Sequence, residues 1–594
     1  MCAWRDLTGF CTRRAAAALG FARRSVIIGR DFSNKKGKPI MEKIWLNSYE
    51  ADIRAEIDVC RYTSINDIFR QSCEKYAGKT AFHNLGKELS YRELQTLTAD
   101  FAAYLQQVLK LERGARVAVM MPNVLQYPIA VFGILQAGLV VVNTNPLYTP
   151  RELEHQLNDS GAETIIVLEN FANTLELVLP RTQIKNVLVA TIGDMFGLKG
   201  ALMNLVVRRV KKMVPDYQIP HAVPFKRALA LGAAHTLQPV DAGLDDLAFL
   251  QYTGGTTGVA KGAMLTHGNI CANMLQAGEW IKNGLREGGE TVIAALPLYH
   301  ILALTINLMV FMQVGGKSIL ITNPRDIPAF VAELKKHPVS VFVGINTLFN
   351  ALLNHPAFKD TDFSTWKLAL SGGMSTQQAV AEKWFAATGL PIVEAYGLTE
   401  ASPGVCANPL NIAAYTGCIG LPIPNTDVQI RNGEGQCVAV GEAGELWVRG
   451  PQVMKGYWQR PDETEKVLQD GWLETGDIVV MDEKGWLKIV DRKKDLIVVS
   501  GFNVYPNEIE EVVVHHPKVQ EAACIGVASD KTGEALKLFV VKKDESLTES
   551  ELIEYCRTQL TGYKVPRNIE FRDELPKSNV GKILRRQLRD EKSA

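Results

Sequence analysis

The 594-residue chain lacks three features that would each define a class of protein. Its net charge is only +1, so it has no basic surplus of the kind that a dedicated nucleic-acid-binding protein uses to contact phosphates. Its ten cysteines include no C-x-x-C pair, which argues against a cysteine zinc site or a disulfide framework. No uninterrupted apolar run reaches the roughly 18–20 residues that a membrane-spanning helix needs. The best candidate, 301–312, is predicted to be a buried helix.

The excess of positive charge lies at one end of the sequence. Residues 1–40 hold nine basic and two acidic residues, which gives them +7 and leaves −6 for the remainder. This stretch is rich in Arg and Ala and poor in acids, which is typical of an organelle transit peptide. The alternative is a disordered tail or a mis-assigned start, because Met41 opens a natural-looking beginning, MEKIWLNSY.

The hydrophobic pattern of residues 41–490 indicates an α/β fold in a large N-terminal domain. Short runs rich in β-branched residues alternate with helical stretches, and this favours largely parallel strands with crossover helices. The runs lie at 115–121, 163–168 and 339–343, and the helical stretches at 91–108 and 151–160. After about residue 421, glycine-punctuated alternation predicts antiparallel strands or a distorted barrel.

The last hundred residues, 495–594, are predicted to form a small separate domain. The charged run 491–494 precedes it and is a candidate hinge, although a solvated turn has the same composition. Pro506 opens a predicted helix, and Thr548 with Glu551 forms a T-x-x-E capping pattern for the next one.

The strongest chemical signal is the segment 252–262, YTGGTTGVAKG. Glycines let backbone N–H groups turn toward an anion, and threonine hydroxyls add donors, so the composition predicts a phosphate-binding loop. It is not a Walker A loop, because Gly262 rather than Ser or Thr follows the lysine. A flexible surface loop is the alternative. The candidate residues are Thr253, Gly254, Gly255, Thr256, Thr257, Gly258 and Lys261.

Seven further motifs follow in order along the chain, and with the loop they resemble the AMP-forming acyl-adenylate superfamily. They are PLYH at 297–300, SGGM at 371–374, YGLTE at 396–400, GYW at 456–458, TGD at 475–477, DRKKD at 491–495 and PKSNVGK at 576–582. The stretch 470–511 looks like the fatty-acyl signature of the bacterial long-chain fatty-acid–CoA ligases, and the likeness runs from Met41 to about Asp590.

This resemblance implies a large N-terminal domain of two α/β subdomains and a distorted β-barrel, with a small, mobile α+β C-terminal domain. It implies that ATP converts a fatty acid to acyl-AMP and that the acyl group then passes to coenzyme A. Other adenylate-forming ligases, such as medium-chain or aryl-acid CoA ligases, remain alternatives. A non-catalytic lipid-binding or uptake protein is a third, disfavoured because Glu400 and Lys582 are both present.

The resemblance also assigns roles to residues. Thr253 and Glu400 would hold Mg²⁺, although a carboxylate in a first helical turn is also favoured by the dipole. Lys582 would bridge the attacking carboxylate and the α-phosphate, and His300 would lie where the acyl and thiol paths meet. A lysine in such a turn is more often a solvated surface residue, and a lone histidine is more often structural. Lys494 would occupy the hinge. The nucleotide contacts would involve Ser371, Gly372, Gly373, Tyr396, Gly397, Thr399, Asp477 and Arg492.

The remaining expectations concern partners. The acyl tunnel is placed near 301–312 and 344–353, and the coenzyme A face near Gly501. Cations among apolar residues at 205–214 suit an amphipathic segment lying on anionic lipid, although a solvated helix face has comparable odds. We therefore expect a cytoplasmic protein bound peripherally to the inner face of the cytoplasmic membrane, with a homodimer as an open alternative.

Overall fold

The computed structural model describes residues 42–253, 260–499, 502–529, 532–578 and 581–591. The predicted leader, 1–40, lies outside these residues. Lys43–Ala594 form one compact unit. Of the helices that the structure describes, none is both long enough and apolar enough to cross a membrane.

Two mixed, mostly parallel sheets make up most of the large domain, which confirms the α/β prediction. In spatial order, the first sheet contains the described strands Leu421–Pro422, Gly404–Ala407, Ile392–Gly397, Leu368–Gly372, Val341–Gly344, Thr291–Ala294, Lys317–Leu320, Thr80–Asn84 and Lys87–Ser90. The second contains Val223–Pro224, Asn186–Ala190, Thr164–Leu168, Arg116–Met120, Val140–Asn143, Leu247–Thr253 and Lys261–Thr266.

The third sheet is antiparallel, as the alternation after residue 421 predicts. It contains the described strands Asp427–Arg431, Gly444–Arg449, Trp472–Met481, Leu468–Gln469 and Leu487–Arg492. The fourth sheet belongs to the small C-terminal domain and contains Phe502–Val504, Ile497–Val499, Gly533–Lys542, Val519–Ser529 and Asn568–Arg572. Its residues form a hydrophobic cluster of their own around Val504, Ile509 and Leu538, so the small domain has its own core.

Helices connect the parallel strands. The α-helices of the described residues are Ile65–Lys75, Tyr91–Ala103, Gln126–Gln136, Pro150–Ser160, Ala172–Val178, Gly197–Leu205, Phe225–Gly232, His267–Ile281, Ile301–Ala303, Phe311–Gln313, Ile327–Leu334, Asn346–Leu353, Gln378–Thr388, Pro461–Val467, Pro506–Val514, Glu549–Gln559 and Arg585–Asp590. Three π-helical segments continue an α-helix, at Tyr104–Val108, Val206–Val210 and Leu304–Val310. Short 3₁₀ turns lie at Ile44–Ser48, Glu169–Phe171, Leu179–Arg181, Asp194–Phe196, Pro356–Asp360, Thr399–Ala401 and Gly562–Lys564.

Local sequence signals account for several helix starts. Ser90, Thr149 and Thr266 each accept a hydrogen bond from the third helical N–H of the helix that follows, and the residue there bonds back to the cap. Thr548 accepts from the Glu551 N–H as predicted. The Glu551 carboxylate instead accepts from Lys518, so the pattern supplies an N-cap and a cross-link rather than a reciprocal box.

Candidate active site

A cavity of about 1940 Å³ lies between the large and small domains. The strands Leu247–Thr253, Leu368–Gly372 and Ile392–Gly397 end at its wall. Ligands in open α/β sheets bind outside the carboxyl ends of the strands, and this cavity follows that rule. Lysines and acids of the small domain, including Lys582, line its other side.

The predicted phosphate loop joins two antiparallel strands, and the structure describes its residues 252–253 and 260–262. The candidates Gly254, Gly255, Thr256, Thr257 and Gly258 lie outside the described residues. Lys261 lies opposite Thr253 in the hairpin and pairs with Glu463 at 2.6 Å. Its ammonium also sits 4.8 Å from the centre of the Tyr457 ring. The structure thus assigns Lys261 a partner within the protein.

Glu400 lies in the 3₁₀ turn Thr399–Ala401, which packs against the strand ending at Thr253. The Tyr457 hydroxyl donates to the Glu400 carboxylate at 2.7 Å, and the Met454 N–H donates to the Glu400 backbone carbonyl at 2.7 Å. Thr253 and Glu400 both line the cavity. They offer one hydroxyl and one carboxylate, which are the hard oxygen donors that Mg²⁺ prefers.

Three other predicted residues meet directly. Asp477 and Arg492 face each other across neighbouring antiparallel strands, with Arg492 Nε 3.2 Å from an Asp477 carboxylate oxygen. The Tyr396 hydroxyl donates to the other Asp477 oxygen at 2.6 Å. Burial, together with the Asp477 charge, raises the pKa of Tyr396 well above its usual value. Asp477 is therefore a buried, fixed carboxylate at the cavity wall.

Lys582 enters the same cavity from a hairpin turn of the small domain. Ser578 holds the turn through three hydrogen bonds. Its N–H donates to the Lys582 carbonyl, its carbonyl accepts from the Gly581 N–H, and its hydroxyl accepts from the Lys582 N–H. The preceding Gly581 lies against Thr347 of the large domain. Burial and the neighbouring cations Arg492 and Lys494 lower the pKa of Lys582 to about 7, with Asp477 opposing them.

His300 shares this environment. Burial lowers the pKa of His300 to about 4, and the Lys582 charge acts in the same direction. Its ring nitrogen also accepts a hydrogen bond from the Leu302 N–H at 3.4 Å, which caps the helix that follows. The structure therefore gives His300 a structural contact and also places it beside Lys582.

The candidate hinge is a network of charges between the two domains. Burial, followed by repulsion from Arg492, lowers the pKa of Lys494 to about 8. Asp491 is fully buried and accepts from the Asn507 N–H at 2.9 Å. Arg585 binds Glu510 at 2.6 Å and Asp495 at 3.3 Å. Asp491, at the end of the third sheet, is thus joined to the small domain by the Asn507 N–H and by Arg585, which lies 3.9 Å from the Asp491 carboxylate.

Glycines let the cavity wall approach neighbouring backbone. A Cβ on Gly397 would lie 2.0 Å from the Pro403 carbonyl oxygen, and one on Gly372 would lie 3.3 Å from the Ala395 carbonyl oxygen. Gly373 has φ +84°, which favours glycine. The buried Ser371 hydroxyl accepts from Thr376 at 2.8 Å.

Buried amides position the 297–300 segment, and sequence reasoning missed them. Gln251 donates to the Tyr299 carbonyl at 2.6 Å, and Asn143 donates to Gln251 at 3.0 Å. The Tyr127 hydroxyl donates to Asn143 at 2.6 Å. The available signal was an amide ending an otherwise apolar strand, as in VVVN at 140–143. A buried polar group of this kind needs a fixed partner.

Only part of the predicted tunnel faces the cavity. Ile301, Leu302 and Ile306 line it. From 344–353, the lining side chains are Asn346 and Asn350, whereas the apolar residues of that helix pack into the core: Leu348, Phe349 and Leu352. The predicted coenzyme A residue, Gly501, lies outside the described residues.

Comparison with known proteins decides the family. A family model described as AMP-binding enzyme matches residues 69–458, and one described as AMP-binding enzyme C-terminal domain matches 508–582. The chain belongs to the AMP-binding enzyme family. This AMP-binding enzyme is 58% identical over 552 residues to a long-chain-fatty-acid–CoA ligase of Yersinia pestis, covering 93% of this chain and 98% of that protein.

Two further comparisons agree. The enzyme is 57% identical over 554 residues to a long-chain-fatty-acid–CoA ligase of Escherichia coli O157:H7, covering 93% of this chain and 98% of that protein. A benzoate CoA ligase from Burkholderia xenovorans has a similar structure, with a TM-score of 0.76 and 26% identity over 89% of this chain and all of that one. The predicted acyl-CoA-synthetase-like fold, with a large N-terminal and a small C-terminal domain, is confirmed.

Proposed function

We propose that this AMP-binding enzyme is a long-chain fatty-acid–CoA ligase. It would use ATP to convert a fatty acid to acyl-AMP and pyrophosphate, and then transfer the acyl group to coenzyme A with release of AMP. The observation that carries the proposal is that Lys582, Asp477, Arg492 and His300 line one cavity, where Arg492 pairs with Asp477. The identity of 57–58% to long-chain-fatty-acid–CoA ligases supports the substrate class.

The first step joins two anions, so positive charge must oppose their repulsion. Lys582 would contact both the attacking carboxylate and the α-phosphate, and a flexible ammonium suits that role. Arg492 would add charge beside the nucleotide. The Asp477 carboxylate, held by Tyr396 and Arg492, would accept hydrogen bonds from the ribose hydroxyls.

Thr253 and Glu400 would hold Mg²⁺, because both offer hard oxygens at the cavity wall beside the phosphate loop. When bound, the ion would supply positive charge to the phosphates of ATP. Tyr457 would keep Glu400 oriented through its 2.7 Å hydrogen bond. Ser371, Gly372, Gly373 and the strand that ends at Gly397 would form the adenine wall.

The second step needs space for a thiol where Lys582 now lies. We propose that residues 491–494 act as the hinge about which the small domain turns after acyl-AMP forms. Asp491 and Lys494 bracket this segment, and polar contacts cross it: the Asn507 N–H donates to the Asp491 carboxylate, and Arg585 lies 3.9 Å from the same carboxylate. Such contacts can exchange for water without exposing a core, which favours reorientation.

The direct test measures pyrophosphate release and coenzyme A consumption with palmitate, ATP and Mg²⁺. We expect stoichiometric release of pyrophosphate and formation of palmitoyl-CoA. A series of carboxylates from medium to long chain, with benzoate as an aryl acid, separates the proposed substrate from those of related ligases. A binding protein would show neither reaction, and a preference for benzoate would contradict the long-chain assignment.

Lys582→Ala tests the role of the small domain. We expect adenylate formation from ATP and palmitate to fall by about 10²–10³-fold, because one charge contact to the transition state is lost. Thioester formation from presynthesised palmitoyl-AMP should stay near the wild-type rate. Lys577→Ala, in the same hairpin, is the matched control, since Lys577 pairs with Glu521. Equal loss of both half-reactions in Lys582→Ala would contradict the two-conformation proposal.

We further propose that the enzyme binds peripherally to anionic membranes through the segment 197–213. Its side chains Leu198 and Leu202 are 96% and 64% exposed, and Val210 is also exposed. The cations Arg209, Lys211 and Lys212 lie beside them at the surface. Arg208 is different, because it pairs with the buried carboxylate of Glu169. Exposed apolar groups next to cations suit an anionic lipid interface.

Flotation with vesicles containing phosphatidylglycerol tests this surface. Replacing Arg209, Lys211 and Lys212 by Gln, or Leu198 and Leu202 by Ser, should release the protein from the vesicles. Leu177→Ser is the control, because Leu177 is an exposed leucine of another helix. Equal flotation of all variants would remove the membrane proposal. The homodimer stays a prediction, which sedimentation velocity tests.

A further inference from the structure

Two histidines and a glutamate converge outside the cavity just described. His83 lies on the strand Thr80–Asn84, Glu333 is the penultimate residue of the helix Ile327–Leu334, and His337 lies in the turn after that helix. One ligand atom from each residue lies within 4.8 Å of the other two. None of these three residues is among the described residues that line the cavity.

The three ligand atoms lie close together, and one pair of them, His337 Nε2 and Glu333 Oε1, also forms a hydrogen bond. Glu333 Oε1 lies 3.0 Å from His337 Nε2 and 3.5 Å from His83 Nδ1. Zinc binds imidazole nitrogen and carboxylate oxygen at about 2.0–2.2 Å, so its ligand atoms lie about 3.4 Å apart in a tetrahedral site. The other Glu333 oxygen accepts from Lys336 at 2.8 Å, which orients the carboxylate with Oε1 toward both rings.

His83 supplies an independent observation. Its side chain is only 8% exposed, and within the described residues its Nδ1 has no hydrogen-bond partner. A buried polar nitrogen without a partner is uncommon in proteins and calls for a ligand.

The cluster lies close to the surface. The side chains of Glu333 and His337 are 18% and 12% exposed. His83 is the inner ligand on the sheet, where it pairs in register with Ile319 of the neighbouring strand. An ion held here would join this strand to the end of the helix.

We propose that His83, Glu333 and His337 bind one divalent transition-metal ion of the Zn²⁺ class, with water as the fourth ligand. Two imidazoles and a carboxylate favour Zn²⁺ over Mg²⁺, which prefers oxygen donors. The site is separate from the Mg²⁺ proposed at Thr253 and Glu400. Its role is a cross-link between sheet and helix that stabilises the large domain.

The test uses the full chain without an affinity tag, freed of metal by a chelator. Titration with Zn²⁺ should show one site per chain that His83→Gln, Glu333→Gln and His337→Gln each abolish. His235→Gln is the matched control, because His235 is exposed elsewhere on the surface. Co²⁺ in place of Zn²⁺ should give the visible absorption of a four-coordinate ion in the wild type and in His235→Gln alone.

Stability gives a second measurement. At a hundredfold excess of free Zn²⁺ over the dissociation constant, the midpoint of thermal unfolding should rise by about 2 °C in the wild type. It should not move in His337→Gln, whose partly exposed side chain makes a folded variant the expectation, checked by circular dichroism. Palmitoyl-CoA synthesis without Zn²⁺ should be the same in this variant as in the wild type. No saturable site, or Zn²⁺ binding that all variants retain, would overturn the proposal.

Discussion

At the residue scale, burial sets the charges of the site. Lys582 and His300 have ordinary side chains, and nothing in their sequence neighbourhoods indicates a low pKa. The fold brings both to the wall of one cavity, where Lys582 acts on His300 and Arg492 acts on Lys582. Repulsion and desolvation then favour their neutral forms. Binding of the ATP phosphates would reverse this effect for Lys582.

The pKa of Lys582 leads to a prediction about pH. A lysine with a pKa of about 7 is charged below pH 7 and loses its charge above it. We expect kcat/KM for ATP in the adenylation step to fall as pH rises through this range, because kcat/KM reports the free enzyme. Lys582→Arg, which stays charged, should be slower at its optimum but should lose this alkaline limb. An unchanged limb in the arginine variant would show that another group titrates.

Glu394 leads to a prediction about stability. Burial raises its pKa to about 7 from an ordinary value of 4.5, and hydrogen bonds from Thr376 only partly offset this. The charged form is therefore disfavoured in the folded protein, by about 3 kcal/mol at pH 8, and this destabilisation fades as pH falls from 7 toward 4.5.

We expect Glu394→Gln to raise the midpoint of thermal unfolding at pH 8 and to have a smaller effect at pH 5.5. Glu382→Gln, at an exposed position of a nearby helix, is the control. Differential scanning calorimetry without substrates measures both. A gain that is the same at the two pH values would contradict the titration of Glu394.

At the element scale, strand ends carry the site and glycines set their spacing. The strand Ile392–Gly397 brings Tyr396 to Asp477, and its last residue lies against the Pro403–Gly404 backbone. The motif YGLTE thus has a steric component besides its chemical one. The phosphate hairpin is anchored by a hydrogen bond. The Tyr252 hydroxyl donates to the carboxylate of Asp159, on the helix Pro150–Ser160, at 2.7 Å.

Gly397→Ala tests this spacing. Its Cβ would lie 2.0 Å from the Pro403 carbonyl oxygen, so the backbone must shift. We expect a loss of about 1–3 kcal/mol in the free energy of unfolding and a marked fall in adenylation rate, because Tyr396 and Thr399 are neighbours in the chain. Gly433→Ala is the control, because no atom lies within 4 Å of its added Cβ. Chemical denaturation and pyrophosphate release measure the two effects, and wild-type values for Gly397→Ala would contradict the argument.

At the scale of the whole molecule, one cavity would serve two reactions through movement of the small domain. The present arrangement, with Lys582 in the cavity and Gly581 against Thr347, fits the first reaction. The small domain has its own hydrophobic core, which would let it reorient as a body in the proposed second step. The ionic contacts of Arg585 with Asp495 and Glu510 hold segments of the small domain together beside the hinge.

A disulfide between Gly581→Cys and Thr347→Cys should lock this arrangement. A Cβ on Gly581 would lie 3.6 Å from the Thr347 Cβ, within the roughly 3.5–4.5 Å of natural disulfides. We expect the oxidised double variant to form palmitoyl-AMP but to make palmitoyl-CoA about tenfold more slowly or worse, with recovery on reduction. The two single variants report any effect of the substitutions themselves, including strain at Gly581, where φ is +79°. Thioester formation at the same rate before and after reduction would contradict domain movement.

The sequence by itself determined the fold class, several strand and helix positions, and the motifs that supply the site. These depend on local patterns, such as the β-branched run at 116–120 or the cap at Thr548, and on residue types that a given chemistry requires. Only the tertiary structure decided which residues meet. It assigned Lys261 to Glu463, Arg208 to Glu169 and the amides of 346–350 to the cavity wall. It also brought His83 to Glu333 and His337. Such contacts join residues distant in sequence, and packing of whole elements sets them rather than any local pattern.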